Sequence, residues 1–189
     1  MNTTTSSKQT EQDLFGITEG IFCQQCNCKG AYGAGISGAI SKVFPEVEKN
    51  FRYDYQVNKG KQFGTYSIIQ CTDALAVANI YSQDTYGGRG THTDISALVS
   101  AVTGIATGNP DTTVYLPHHY DPRTKVHGGI GAGLGGGNWQ DIEAAIQQSV
   151  NENGLNNVAL WDSIERRLDK MLVPQEFVKG TIKPKEYER

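Results

Sequence analysis

The sequence lacks what would place it in a membrane, in a secretory pathway or on duplex nucleic acid. Its 189 residues contain no run of 18 apolar side chains, too little to span a bilayer as a helix. Met1 to Gln12 is mostly Thr, Ser, Gln and Glu with no apolar stretch, so no secretory signal is expected, and nothing near the C-terminus reads as a lipidation box. The expected location is the cytoplasm, where the four cysteines are expected to be thiols rather than disulfides. A formal net charge of -3 and a pI near 5.8 leave no basic excess to neutralise a phosphate backbone, so duplex DNA is not an expected partner. There is no G-x-x-x-x-G-K-[ST] run and no H-E-x-x-H, which removes the P-loop and the helix-borne zinc-protease readings.

What the chain does have is glycine, 22 of 189 residues against an average of about 7%. Half of it lies in two short windows. Gly30, Gly33, Gly35 and Gly38 form one, and Gly128, Gly129, Gly131, Gly133, Gly135, Gly136 and Gly137 the other.

Around those windows, strand-like and helix-like patterns alternate. Gly20 to Cys26 reads as a strand. Ile36, Ile40, Val43, Phe44, Val47 and Phe51 recur at helical spacing, with Pro45 bending or restarting the helix. Phe63–Cys71 and Leu75–Tyr81 read as two strands joined at Thr72-Asp73 as a hairpin. Ile95, Leu98, Val99, Val102 and Ile105 predict a second amphipathic helix, Thr113–Pro117 a strand, and Pro117 to Gly137 a long loop. Asn138 is an expected N-cap for a helix carrying Trp139, Ile142, Ala145, Ile146 and Val150. Asn157–Trp161 reads as a last strand. Asp162-Ser-Ile-Glu165 resembles a capping box and predicts a closing helix with Ile164, Leu168 and Met171 on one face. The pattern indicates an α/β architecture, helices covering a mixed sheet.

Each glycine window directly precedes a helix, whose first N–H groups have no partner inside the helix. Glycine lets the main chain approach a ligand closely and turn successive N–H groups toward anionic oxygens, helped by the helix dipole. Two such loops at one sheet edge suit a diphosphate better than a single phosphate. The donors are main-chain amides, so an acidic protein needs no lysines to hold the anion. Gly131-Ala-Gly133-Leu-Gly-Gly136 matches G-x-G-x-x-G, but a dinucleotide fingerprint should directly follow a strand.

In these residues the sequence resembles the macro domain, an ADP-ribose-binding α/β module. The resemblance runs through Gln25-Cys26-Asn27, Gly30-Ala-Tyr-Gly-Ala-Gly-Ile36, Tyr81-Ser-Gln-Asp-Thr-Tyr-Gly-Gly88 and Ile130-Gly-Ala-Gly-Leu-Gly-Gly-Gly-Asn-Trp139. Asp13-Leu14-Phe15 resembles the family's adenine-binding Gly-Asp-Ile/Leu element, with Gln12 where the family has glycine. The resemblance implies a three-layer α/β/α sandwich around a mixed sheet with a mostly parallel centre. It also implies a polar leader over 1–11, the macro domain over 12–161, and a C-terminal helix and tail over 162–189.

The same resemblance implies a ligand, ADP-ribose or a derivative, and contacts to it. Asp13 and Leu14 would serve the adenine. Asn27, Gly30, Tyr32, Gly33, Ala34, Gly35 and Ile36 would surround the distal ribose. Gly131, Ala132, Gly133, Leu134, Gly135, Gly136 and Gly137 would hold the diphosphate, with Gln24, Gln83 and Tyr86 completing the site. An ADP-ribosylated protein is a further candidate partner; no cofactor is expected, and the oligomeric state is left open.

Within the family, Cys26-Asn-Cys-x-Gly-x-Tyr32-Gly-x-Gly35 and Phe44-Pro-Glu-Val-Glu-Lys49 most resemble the ADP-ribose 1″-phosphate phosphatases and terminal ADP-ribose glycohydrolases. The phosphatases carry histidine where Gln24 aligns, and the glycohydrolases lysine and aspartate where Gln83 and Gly135 align, so neither catalytic set is intact. A carboxamide does not exchange protons near neutral pH. The favoured expectation is hydrolysis of a phosphate or ADP-ribosyl ester at the distal ribose; Asp84, His92, His118 and His119 are the available titratable groups, with Asp84 or His92 favoured. The alternative is a non-catalytic reader or sponge of ADP-ribose or a related signalling nucleotide. His118-His119-x-Asp121 and His127 offer ligands of the kind zinc or manganese accepts, but nothing in their spacing makes them converge, and no metal is assigned. Strand alternation sends Cys23 and Cys26 to opposite faces, which argues against their sharing one.

Overall fold

The computed structural model describes residues 16–163 and 166–174. The described elements run β1 (Gly20–Asn27), α1 (Ile36–Val43), α2 (Pro45–Asn58), β2 (Tyr66–Gln70), β3 (Leu75–Gln83), α3 (Ile95–Gly108), β4 (Val114–Asp121), β5 (Val126–Gly129), α4 (Trp139–Asn153), β6 (Val158–Asp162) and β7 (Arg167–Leu172).

The sheet order is β2-β3-β1-β4-β6-β7, with β5 paired to β4. The four central strands β3, β1, β4 and β6 are parallel, and β2, β5 and β7 pair antiparallel. Burial of both faces explains the composition of the centre: every residue of β3 and of β6 is buried, as in parallel strands covered on each side. On one face α3 and α4 pack through Leu98, Val102, Ile105, Ile142, Ile146 and Val150. On the other, α1 and α2 pack through Ile40, Phe44, Val47 and Phe51. Each such side chain contributes about 1.5–3 kcal/mol when fully buried. The result is the expected three-layer α/β/α sandwich.

Local chemistry sets the helix ends. Pro45 occupies the first turn of α2, where its missing N–H costs nothing, so the chain restarts a helix at Phe44 instead of bending one. Asp94 caps α3 by accepting from Ala97 N at 2.7 Å, and Asn138 caps α4 by accepting from Asp141 N at 3.1 Å. Asn157 donates to the carbonyls of Ala106, Asn109 and Thr112 at 2.9–3.0 Å. It thereby ties the end of α3 to the entry of β4.

Two expectations change. The loop after Pro117 is largely a hairpin, because β4 continues to Asp121 and β5 returns beside it. The closing helix is also overturned over Arg167–Leu172, which forms β7 antiparallel to β6. Leu168 and Met171 are half exposed along that edge strand, while Leu172 is buried under it. Pairing with an open sheet edge satisfied the main chain where a helix would have left that edge bare. Among the described residues no helix is long and apolar enough to cross a membrane.

Candidate functional site

The parallel strands β1, β3, β4 and β6 all end at one edge of the sheet, and both glycine windows gather there. The first begins where β1 stops. Asn27 Oδ1 accepts from the N–H groups of Lys29 at 3.0 Å and Ala31 at 3.2 Å, and its Nδ2 donates to the Ala31 carbonyl at 2.7 Å. Gly33 and Gly35 have φ of 103° and 62°, conformations that side-chain-bearing residues rarely adopt. Gly35 is the N-cap of α1. The Gly33 N–H reaches Ser37 Oγ at 3.3 Å, and that hydroxyl donates to the Ala34 carbonyl at 2.8 Å.

The second window follows β5. Gly137 N donates to Gly131 O at 2.9 Å and Gly136 N to Gly133 O at 3.0 Å, closing a compact turn ahead of α4. The segment after β3 clamps it, with His92 N and Thr93 N donating to Gly135 O at 2.8 and 3.1 Å and Thr91 Oγ1 to Gly136 O at 3.0 Å. The N–H groups of Gly133, Leu134 and Gly135 have no hydrogen-bond partner among the described residues, and all three residues line the space between the windows.

That space is a cleft of about 730 Å³. It is bordered by Asn27, Tyr32, Ala34, Gly35 and Ile36 on one side and by Gly131, Gly133, Leu134 and Gly135 on the other, with Gln83 and Tyr86 between. Leu134 and Tyr86 are 75% and 56% exposed and stand at the rim. None of the lining residues is Asp, Glu, Lys or Arg. Cys26 lines the cleft as well, but burial pushes its thiol far above the ordinary range, so it is not a ready nucleophile.

Beneath Gly135 lies a closed polar cluster. Gln25 Nε2 donates to Ser82 Oγ at 2.8 Å and Thr93 Oγ1 at 3.1 Å, Gln83 Nε2 donates to Gln25 Oε1 at 2.7 Å, and Thr93 Oγ1 donates to Gly131 O at 2.7 Å. Gln25 was not among the expected site residues, although period-two alternation along β1 would have separated it from Gln24. Ser37, Thr93, Pro117, Ile130 and Ser163 were missed as well. Four of these lie on the cleft wall, and Thr93 lies in the cluster below; nothing in their residue types marked them.

Several expected residues lie elsewhere. Gln24 points to the opposite face of β1, fully buried, where its Nε2 donates to Tyr32 Oη at 2.8 Å and Asn79 Oδ1 at 2.7 Å. It therefore stands behind the wall that Tyr32 forms, with Tyr32 tilted against Phe51 at 4.9 Å. Burial holds the Tyr32 phenol protonated, far above its usual range, despite the opposing bond from Gln24. Gly30 has φ 76° and lies under the Tyr55 ring, which a Cβ would meet at 3.0 Å. Gly33, Ala132, Gly136 and Gly137 shape the windows without lining the cleft. Neither Asp84 nor His92 lines it: Asp84 pairs with Lys29 at 3.6 Å, both side chains substantially exposed, and His92 Nδ1 meets Thr85 Oγ1 at 2.9 Å. Asp13 and Leu14 lie outside the described residues.

His118 and His119, on β4, both border the cleft, although strand alternation gives them different neighbours. His118 is buried, its ring 5.2 Å from Trp139 and 5.8 Å from His127, with Nδ1 3.5 Å from Asp169 Oδ2. Burial lowers its pKa, against the raising influence of Asp169. His119 covers Gly128 on the other face, where a Cβ would stand 2.2 Å from its ring. A side chain at Gly128 or Gly129 would collide with the ring of His119 or Trp139, a packing requirement for glycine at both positions. Among the described residues no group of three or more His, Cys, Asp or Glu is placed to hold a metal ion.

No protein-family model matches the chain. An uncharacterised 17.5 kDa protein of Enterobacteria phage T4 is 26% identical over 121 residues, 64% of this chain and 74% of the phage protein. Among solved structures, the macrodomain of Mycobacterium tuberculosis DarG superposes with a TM-score of 0.62 at 17% identity, covering 79% of this chain and 93% of that one. Thermosipho africanus DarTG, solved in complex with ADP-ribose, superposes with a TM-score of 0.59 at 15% identity over 82% of this chain and 41% of the larger protein. The fold of the chain is that of the macrodomains.

Proposed function

We propose that the protein binds ADP-ribose, or a derivative of it, in the cleft between the two glycine windows. One observation carries this reading: two main-chain loops, each leading into a helix, border a single cavity, and Gly133, Leu134 and Gly135 on its wall have N–H groups with no hydrogen-bond partner among the described residues. Each charge-assisted hydrogen bond to a diphosphate contributes about 1.5–3 kcal/mol, and the helix N-termini add their dipoles. The cavity falls within the roughly 300–1,000 Å³ usual for small-molecule sites. The fold shared with DarTG, whose structure contains ADP-ribose, supports the same ligand.

Of the titratable candidates, Asp84 and His92 stand off the cleft wall while His118 and His119 border it; the displacement of the two favoured groups supports binding without turnover. The hydrolytic form rests on their segment, which borders the cleft at Tyr86, Gly87 and Gly88. In that form a carboxylate or imidazole brought inward would orient water or protonate the leaving oxygen at the distal ribose. Calorimetric titration with ADP-ribose, with AMP as control, tests the binding. Phosphate release from ADP-ribose 1″-phosphate, lost in Asp84→Ala or His92→Ala with affinity retained, would establish the hydrolytic form. Tight binding with no release would establish the reader.

A further inference from the structure

The cleft wall carries no Asp, Glu, Lys or Arg, so its charge is decided by weaker acids and bases. Burial holds the Cys26 thiol and the Tyr32 phenol protonated, and Tyr86 at the rim is a phenol, a group that ordinarily titrates at about pH 10. His118 and His119 remain, and histidine is the side chain whose ordinary titration falls between about pH 5 and 8.

The pleat of β4 separates these two. Pro117 pairs with Trp161 in the parallel register, and Trp161 packs with Phe22, Ile40 and Phe44 on the face covered by α1 and α2. His119, two residues on, shares that face, where Ile36 and Ser37 at the start of α1 border the same cleft. It is partly exposed. His118 turns to the opposite face and is buried against Trp139, where desolvation opposes its charge. Beside His119 stand Gly128 of β5, whose added Cβ would lie 2.2 Å from the ring, and the first turn of α1, which holds no acid. Asp121, on the same face of β4, is tied to Arg123 in the hairpin turn. Asp169, Glu143 and Asp162 act on His118, and the Lys29–Asp84 pair lies past the ends of β1 and β3.

We infer that His119 is the cation of this cleft: its imidazole takes a proton from solvent as the ligand's diphosphate enters, and so ties affinity to pH. This rests on the reading of the cleft as an ADP-ribose site. A diphosphate bridging two sugars stays doubly anionic across the histidine range, and a nearby anion favours the protonated imidazole. The imidazole therefore holds its proton more tightly in the complex than in the free protein. Affinity is highest below the ordinary histidine value of about 6.5 and declines as pH rises through the higher value of the complex. The main-chain amides do not titrate, so binding persists at alkaline pH at a lower level.

Calorimetric titration of the full chain with ADP-ribose tests this; nucleotides ending in a phosphate monoester are unsuitable, because that group itself titrates at about pH 6. From about pH 8 to about pH 5.5 the wild type gains about three- to tenfold in affinity. At about pH 7, buffers of different ionisation heat report uptake of about 0.2–0.6 proton per ligand bound. His119→Gln binds at both pH values within about twofold of the wild type's alkaline affinity and takes up no proton. His118→Gln keeps both the gain and the uptake. Thermal unfolding at each pH checks that the variants are folded, and His119→Asn carries the same expectations should His119→Gln not fold. A wild-type affinity level with pH, a gain that persists in His119→Gln, or an uptake lost in His118→Gln instead overturns the inference and leaves the ADP-ribose reading standing. A wild type that binds ADP-ribose at neither pH overturns both.

Discussion

The carboxamide of Asn27 closes on Ala31 from both ends, accepting from its N–H at 3.2 Å and donating to its carbonyl at 2.7 Å. Asn27 thus holds the first glycine window in shape with the groups that a ligand contact would otherwise use. Asn27→Ala removes three hydrogen bonds and is expected to cost about 1–3 kcal/mol of stability, read as a lower urea midpoint, together with weaker ADP-ribose binding. Asn27→Asp keeps the two accepted bonds but sets an oxygen against the Ala31 carbonyl, and should fall between. An unchanged midpoint in Asn27→Ala would show that the window holds itself.

Two glycines of the second window separate folding from binding. An added Cβ at Gly133 meets nothing within 4 Å, and its φ is not positive, whereas at Gly135 it would lie 2.3 Å from Thr93 Oγ1 and 2.6 Å from Gln25 Oε1. Gly133→Val should leave the unfolding midpoint in place yet weaken ADP-ribose about tenfold or more, through collision with the ligand. Gly135→Ala should cost about 1–3 kcal/mol of stability through overpacking. If Gly133→Val binds normally, the diphosphate does not lie against that turn.

The layers and the cleft edge were legible because burial periodicity and glycine placement act locally. The 3.6-residue recurrence of Ile142, Ile146 and Val150 survives in α4, and the windows do precede helices. What escaped was decided between elements. The capping-box pattern at Asp162 lost to the open edge of β6, which drew Arg167–Leu172 into a strand. Gln24 and Gln25 are chemically identical neighbours, and only the pleat of β1 sends one behind Tyr32 and the other beneath Gly135. Gly128 and Gly129 carry the same letter as Gly133 but answer to the rings of His119 and Trp139.

His118 predicts a pH dependence of stability. Burial lowers its pKa in the folded protein, with Asp169, Glu143 and Asp162 raising it and His127 lowering it. The unfolded chain therefore takes up a proton more readily, near the ordinary histidine value of about 6.5, and stability falls as pH drops below that value toward the folded pKa. Urea unfolding at about pH 5 and pH 7.5 should show a loss at the lower pH that His118→Gln reduces. A variant that loses as much as the wild type would assign the acid sensitivity to the carboxylates instead.

A lysine- or arginine-built anion site loses affinity as salt rises, because mobile ions screen it over about 8 Å at physiological strength. Here no lining residue is Lys or Arg, the nearby Lys29 is paired with Asp84, and the formal net charge of -3 opposes an incoming diphosphate. Main-chain amides act at hydrogen-bond range, where screening has little room to operate. The affinity for ADP-ribose should therefore stay level or rise slightly between about 50 and 500 mM NaCl, measured by calorimetry. A fall of more than about threefold across that range would mean that side-chain cations hold the phosphates. The main-chain loops would then lose the role assigned to them.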